Sequence, residues 1–175
     1  YRQLNSGSDP DAALIKTLVS NSADDEGNPG PDFTFGFGMI NARTAVEAME
    51  GHHYFTDSVV NNGTSSFTIP SIPAGARQLK VMLYWADPAA QPFAPSTLVN
   101  DLDLTVTDPG GTNHLPMVLD PAPQNVNNNA VEGADHLNNI EQVVIDDPAA
   151  GNFTVSVKGY AVPEGPQAFY IAYEV

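Results

Sequence analysis

Two hydrophobic periodicities divide the chain. In the first fifty residues the apolar positions recur at helical spacing, with Leu14, Ile15, Leu18 and Val19 forming a stripe behind Asp9-Pro10-Asp11. A carboxylate followed by proline at the first helical position predicts that a helix starts there, with Asp9 as its cap. A polar loop follows from Ser20 to Asp32, and Gly27-Asn28-Pro29-Gly30-Pro31 excludes regular structure within it. Aromatic residues and glycines then interleave in Phe33-Thr34-Phe35-Gly36-Phe37-Gly38, and Asn41 is placed to cap a second helix, Ala42 to Glu50, ended by Gly51. Two short helices joined by such a loop bury little surface by themselves, so this segment needs a partner.

From about Tyr54 the period becomes two. Leu79, Val81, Leu83 and Trp85 alternate with Lys80, Met82 and Tyr84. Leu98, Leu102 and Leu104 alternate with Asp101, Asp103 and Thr105, and Phe153, Val155 and Val157 with Thr154, Ser156 and Lys158. Phe169, Ile171, Tyr173 and Val175 end the chain in the same manner. Turn clusters such as Pro73-Ala74-Gly75, Asp108-Pro109-Gly110-Gly111 and Pro163-Glu164-Gly165-Pro166 separate the runs. The pattern predicts a mainly β protein: an antiparallel β-sandwich or jelly roll, residues 52–175, preceded by the short helical segment 1–51. The polar stretch from Asp120 to Asn139 is long for a loop in a compact domain and is expected to bind something or be tied down.

Composition narrows the partners. Six basic residues against 21 acidic ones give a net charge of −15 over 175 residues. Phosphate binding needs a basic footprint that is missing, which excludes nucleic acid and disfavours an anionic membrane surface. No apolar run approaches the roughly 20 residues of a membrane span. There is no cysteine, so disulfides and thiolate chemistry are excluded. The acidic balance suits a secreted, extracellular protein and favours hard cations.

The string Gly30-Pro31-Asp32-Phe33-Thr34-Phe35-Gly36-Phe37-Gly38-Met39-Ile40-Asn41-Ala42, continuing to Ala45-Val46, resembles the end of a subtilisin-like serine protease catalytic domain. Downstream, Leu83-Tyr84-Trp85-Ala86-Asp87-Pro88, Leu98-Val99-Asn100-Asp101-Leu102-Asp103-Leu104, Asn138-Asn139-Ile140-Glu141-Gln142-Val143 and Val162-Pro163-Glu164-Gly165-Pro166-Gln167 resemble the C-terminal jelly roll of one subgroup of that family. The resemblance implies that residues 1–51 complete an α/β catalytic body and that Tyr1 to Leu4 end its nucleophile-bearing helix. It also implies that the partner is the missing N-terminal catalytic portion, through which protein substrates would be reached. The catalytic triad does not carry over. The sole Gly-Thr-Ser, Gly63-Thr64-Ser65, precedes a strand pattern and Pro70 instead of a helix, and His52-His53 lacks the family context. No catalytic residue is expected in this chain.

Asp101 and Asp103 stand two apart on a predicted strand, so both carboxylates leave the same face, opposite Leu102 and Leu104. Such a pair repels unless a cation or a basic group lies between. With six basic residues in the chain a cation is favoured, and Asp87, Asp135, Asn139 and Glu141 are candidate further ligands, with Asn138 beside them. Calcium, which takes about six to eight oxygens, fits this set, and the resemblance implies a calcium-bound jelly roll. The bland alternative is a solvated acidic face. His114 and His136 read as isolated loop histidines, and Trp85, with the inward parity of Val81 and Leu83, as core. Asn62-Gly63-Thr64 and Asn152-Phe153-Thr154 match glycosylation sequons.

The leading expectation is therefore an accessory region of a serine endopeptidase that caps and stabilises the catalytic unit. A free-standing jelly roll that binds carbohydrate or protein is the alternative, though such a module has no use for two amphipathic helices. Hydrolysis by Asp101 and Asp103 themselves is disfavoured, because no cleft-forming aromatic and polar set accompanies them.

Overall fold

The computed structural model describes all 175 residues, Tyr1–Val175. The elements are α1 (Ala12–Asn21), α2 (Ala42–Glu50), β1 (Tyr54–Val59), β2 (Thr64–Ile72), β3 (Gln78–Tyr84), β4 (Asp101–Thr107), β5 (Asn113–His114), β6 (Met117–Val118), β7 (Val131–Glu132), β8 (Ile140–Asp146), β9 (Gly151–Ala161) and β10 (Gln167–Glu174). Eight strands form two four-stranded sheets, ordered β1-β10-β3-β8 and β2-β9-β4-β5, with β6 and β7 as a small ladder beside them. Every pairing is antiparallel. The fold is the β-sandwich the period-two runs predict. The chain crosses between sheets at nearly every connection, so the strands wrap one core instead of meandering within a sheet.

That core is built by the inward positions. Val81, Leu83 and Trp85, with Leu102, Leu104 and Val106 from β4, Phe153, Val155 and Val157 from β9, and Phe169 and Ile171 from β10, are all essentially removed from water. Pro70 sits in β2, an edge strand, beside a register shift between Ile69 and Ile72. There its missing N–H costs no ladder bond, and the Asn152 side chain takes up the N–H of Ser71.

The outer face of the first sheet departs from simple alternation. Met82 and Ala172 have outward parity, yet both are buried, because α1 lies across β10 and β3. Leu14 and Leu18 on α1 and Ala48 on α2 pack on Ala172, with Tyr1, Met49, Tyr54 and Tyr170 around them. A buried amide pair, Gln142 Nε2 to Asn21 Oδ1 at 3.2 Å, joins the last residue of α1 to β8. Lys80 donates to the Ala23 carbonyl at 2.9 Å and pairs with Glu174 at 3.2 Å. Part of the partner that the helical stripe requires is thus its own sandwich.

The helix caps are half as expected. Asn41 caps α2 through the Thr44 N–H at 3.1 Å. On α1 the cap is Asp11, which accepts from Ala13 N, and not Asp9, which pairs with Arg2 at 2.9 Å. The reason is tertiary: the second oxygen of Asp11 receives the Tyr170 hydroxyl, so the carboxylate that also ties down to the sheet starts the helix.

The loop between the helices is held by its own turns. Asp32 accepts from Asn28, Thr34 and Phe35 N–H groups and pairs through its backbone with Gly36. Gly38 adopts a φ of +106°, and a Cβ there would collide with the Asp24 carbonyl, to which Met39 N donates at 2.8 Å. Of the loop's aromatics Phe37 alone is half-buried, lining a cavity with Met117, Leu119 and Ile140. Phe33, Phe35, Met39, Ile40 and Val46 stay between 48% and 70% exposed.

Candidate cation site

The four downstream strings that carry the resemblance meet at one end of the sandwich. Asn100 is the hub. Its side-chain amide donates to the Glu164 carbonyl and to Gln167 Oε1, each at 2.8 Å, and its side-chain oxygen accepts from Glu164 N at 3.0 Å. Its backbone carbonyl accepts from the Trp85 indole at 2.9 Å. Both oxygens of Asp87 accept backbone N–H groups, from Val99 and Asn100 at 2.8 Å each. Asn139 exchanges two bonds with the Trp85 backbone, and Gln167 reaches the Ala86 carbonyl. Buried polar groups need partners, and here each string supplies those of the others.

Two of the predicted ligands take part in this network. Asp87 and Asn139 are engaged in backbone bonds and line a separate groove with Leu98, Leu137 and Asn138. They are placed to hold the loop ends. Asp101, Asp103, Asp135 and Glu141 do come together, with Asp103, Asp135 and Glu141 lining one small cavity of about 100 Å³.

Each carboxylate is positioned by its strand or turn. Asp101 and Asp103 leave the outer face of β4 while Leu102 and Leu104 enter the core, as their parity requires. Glu141 shares the inward parity of Val143 and Ile145 on β8, and only 2% of it is exposed. It reaches the opposite sheet, where Oε2 accepts from Leu104 N at 2.7 Å. Since β5 pairs only with Val106 and Thr107, the edge of β4 is open at Leu104, and the carboxylate closes it. Asp135 is fixed in its turn by Leu137 N and by the Asn138 side chain, at 2.8 and 2.7 Å.

Three buried oxygens of the cluster have no hydrogen-bond partner. Asp101 Oδ1, Asp103 Oδ1 and Glu141 Oε1 are buried and accept no hydrogen bond. Burial pushes the Glu141 carboxyl well above the usual carboxylate range, opposed by the Leu104 N–H and reinforced by the charges of Asp135, Asp103 and Asp101. Burial also raises Asp101 and Asp103, against the attraction of His136. Isolated buried charge is costly, so a cluster of this kind calls for a positive charge among the oxygens. The Asp101 and Asp103 carboxylates lie within 4.8 Å of each other and of a His136 nitrogen, and Asp135 and Glu141 add their charge nearby.

His136 is the residue the sequence reading missed. It is no isolated loop histidine: Nδ1 lies 2.9 Å from Asp101 Oδ2 and 3.7 Å from Asp103 Oδ1. Its ring stacks on Tyr160 at 4.3 Å between centroids. One ligand atom from each of Asp101, Asp103 and His136 falls within 4.8 Å of the others. Nothing in the local spacing announces this, because residue 136 is brought to β4 by the fold of the long polar stretch. His114 likewise sits between Glu132, 3.5 Å away, and Asp108, 3.9 Å away. Ser65, on β2, donates its hydroxyl to Asp57 at 2.6 Å, so its partner is a carboxylate and not an imidazole.

No helix is long and apolar enough to cross a membrane. No family model matches the chain. Among curated proteins it is similar to two from Dictyostelium discoideum. It is 27% identical over 162 residues to the serine protease/ABC transporter B family protein tagA, a match that covers 87% of this chain and 9% of the relative. It is 34% identical over 98 residues to the serine protease/ABC transporter B family protein tagB, covering 50% of this chain and 4% of the relative. The chain thus spans less than a tenth of either relative, and its likeness is to parts of two proteins named as serine proteases.

Proposed function

We propose that the chain is the C-terminal portion of a secreted subtilisin-like serine endopeptidase, with a calcium-binding β-sandwich that stabilises the catalytic unit. The observation that carries the reading is the extent of the match to tagA. It covers more of the chain than residues 52–175 could supply, so at least part of the helical segment recurs together with the sandwich in a protein named as a serine protease. The bare apolar residues Phe33, Phe35, Met39, Ile40 and Val46 support it, since they offer a face for a body upstream. The triad belongs to that body, and protein substrates are met there.

In this reading Asp101, Asp103, Asp135 and Glu141 hold the calcium, which when bound neutralises the mutual repulsion of their carboxylates. The chain's own residues preset the arrangement. Leu104 N orients Glu141, and the Asp135 turn brings the long stretch against β4. His136, a nitrogen donor, stands as a neighbour outside the oxygen set.

Two measurements test the two halves of the reading. The coding sequence upstream of Tyr1 should contain a Gly-Thr-Ser-Met-Ala turn within a helix length; an unrelated upstream sequence would end the protease assignment. Titration calorimetry on chelator-stripped protein should show calcium binding with one site. No heat at millimolar calcium would remove the cation, and tight zinc binding in its place would reassign it.

A further inference from the structure

Between β3 and β4 the chain leaves the sandwich in the loop Ala86–Asn100. At its tip stands Phe93, whose exposure, 104%, matches that of a fully solvated side chain. Pro92 and Phe93 form the turn closed by Ala94 N donating to the Gln91 carbonyl at 3.0 Å. Phe93 has a φ of +63°, a conformation for which glycine is the natural residue at the third place of a turn opened by proline. A large apolar side chain in strained backbone, with no contact to reward it, is held there by the surrounding chain and not by its own preference.

We propose that the Phe93–Ala94 bond is a proteolytic processing site for serine endopeptidases with a deep apolar primary specificity pocket. Such enzymes bind a large apolar side chain in that pocket and draw several residues on each side of the bond into an extended form. The loop meets both demands. From Pro88 to Leu98 its sole backbone–backbone bond is the one that closes the Gln91–Ala94 turn, so opening it costs little. Pro92 precedes the bond, and the residue directly after it is Ala94, which keeps its N–H; Pro95 beyond it lacks one but holds Ala94 to the extended backbone the pocket needs.

Other exposed apolar residues are less accessible in this sense. The N–H groups of Thr34 and Phe35 are bound by Asp32, and Leu137 N is bound by Asp135. Val131 and Tyr160 lie in strands β7 and β9.

In the cut, the C–N bond between Phe93 and Ala94 breaks. Water supplies the oxygen of the new Phe93 carboxylate and the hydrogen of the new Ala94 amine. The loop ends stay fixed, because Asp87 clamps Val99 and Asn100 across the gap. The products, residues 1–93 and 94–175, remain interleaved, with β3 between β10 and β8 and β2 beside β9. Processing yields a two-chain protein with an intact core.

Dilute chymotrypsin, followed by intact-mass spectrometry and native gel filtration, tests this on the native chain. The expected first product is the pair 1–93 and 94–175, eluting together and separating on a denaturing gel. Phe93→Ser should slow that cut by about tenfold or more, whereas Phe93→Tyr should retain it. Thermal melts confirm that both variants fold, as substitution of a solvated side chain should allow. Resistance of the native chain, first cuts after Phe33 or Phe35 or within residues 120–139, or an undiminished rate in Phe93→Ser would each overturn the proposal.

Discussion

Glu141 on one sheet and Leu104 on the other are joined by a carboxylate–amide bond of 2.7 Å across the end of the sandwich. The bond serves an open strand edge with one oxygen and leaves the other oxygen without a partner. Glutamine can accept from Leu104 N while carrying no charge. Glu141→Gln is therefore expected to match or exceed the parent's stability in chelator at neutral pH, and to lose the rise in melting temperature that the proposed calcium site would give the parent. Glu141→Ala orphans the Leu104 N–H and leaves a void, which should cost roughly 2–4 kcal/mol. Thermal melts with and without calcium distinguish the two.

Asn100→Ala removes the hub of the loop network. Glu164 N, the Glu164 carbonyl and Gln167 Oε1 would all lose their partner, at a cost of about 2–4 kcal/mol. Urea unfolding should show a lower midpoint at unchanged slope. Asn100 is not among the residues proposed to hold calcium, so the proposed site should still raise the melting temperature of the variant when calcium is added.

Burial, with the bond to Asp11, pushes the Tyr170 phenol up to about 12. The sign follows from linkage. Between the ordinary tyrosine range near 10 and this raised value the folded state keeps a proton that the unfolded state has released, so stability falls as pH rises through that window. The contribution is fully present below it. Burial raises Tyr173 too, so absorbance titration should reveal more than one late-ionising tyrosine, and Tyr170→Phe should remove one of those steps.

Leu18, 1% exposed between α1 and the first sheet, is the anchor of the helical segment. Leu18→Ala should cost about 2–5 kcal/mol. Hydrogen exchange should locate the loss in α1 and in the outward positions of β3 and β10, with β2 and β9 spared.

The inner faces of the sandwich were legible because inward parity and core burial coincide at Val81, Leu83, Trp85, Leu102 and Leu104. Met82 broke the rule, since a strand covered by a helix is buried on both faces and its own pattern does not say so. The pairing of Asp101 with Asp103 was readable from their spacing, and the fold adds His136 to that pair and carries the charge of Glu141 nearby. Asp87 and Asn139 showed the limit of composition: an acidic or amide side chain near a strand end serves stray backbone amides as readily as an ion, and only the folded loop tells which. His136 was invisible for a related reason, its partners lying over thirty residues away in sequence.

The seating of α1 on β10 and β3 removes any joint between the helices and the sandwich. A truncation at residue 52 would strip Met82 and Ala172 bare and leave Gln142 without Asn21, so it should yield sticky, poorly soluble material. A melt of the sandwich would therefore release the helices, and a mechanical pull on the helices would load β3 and β10.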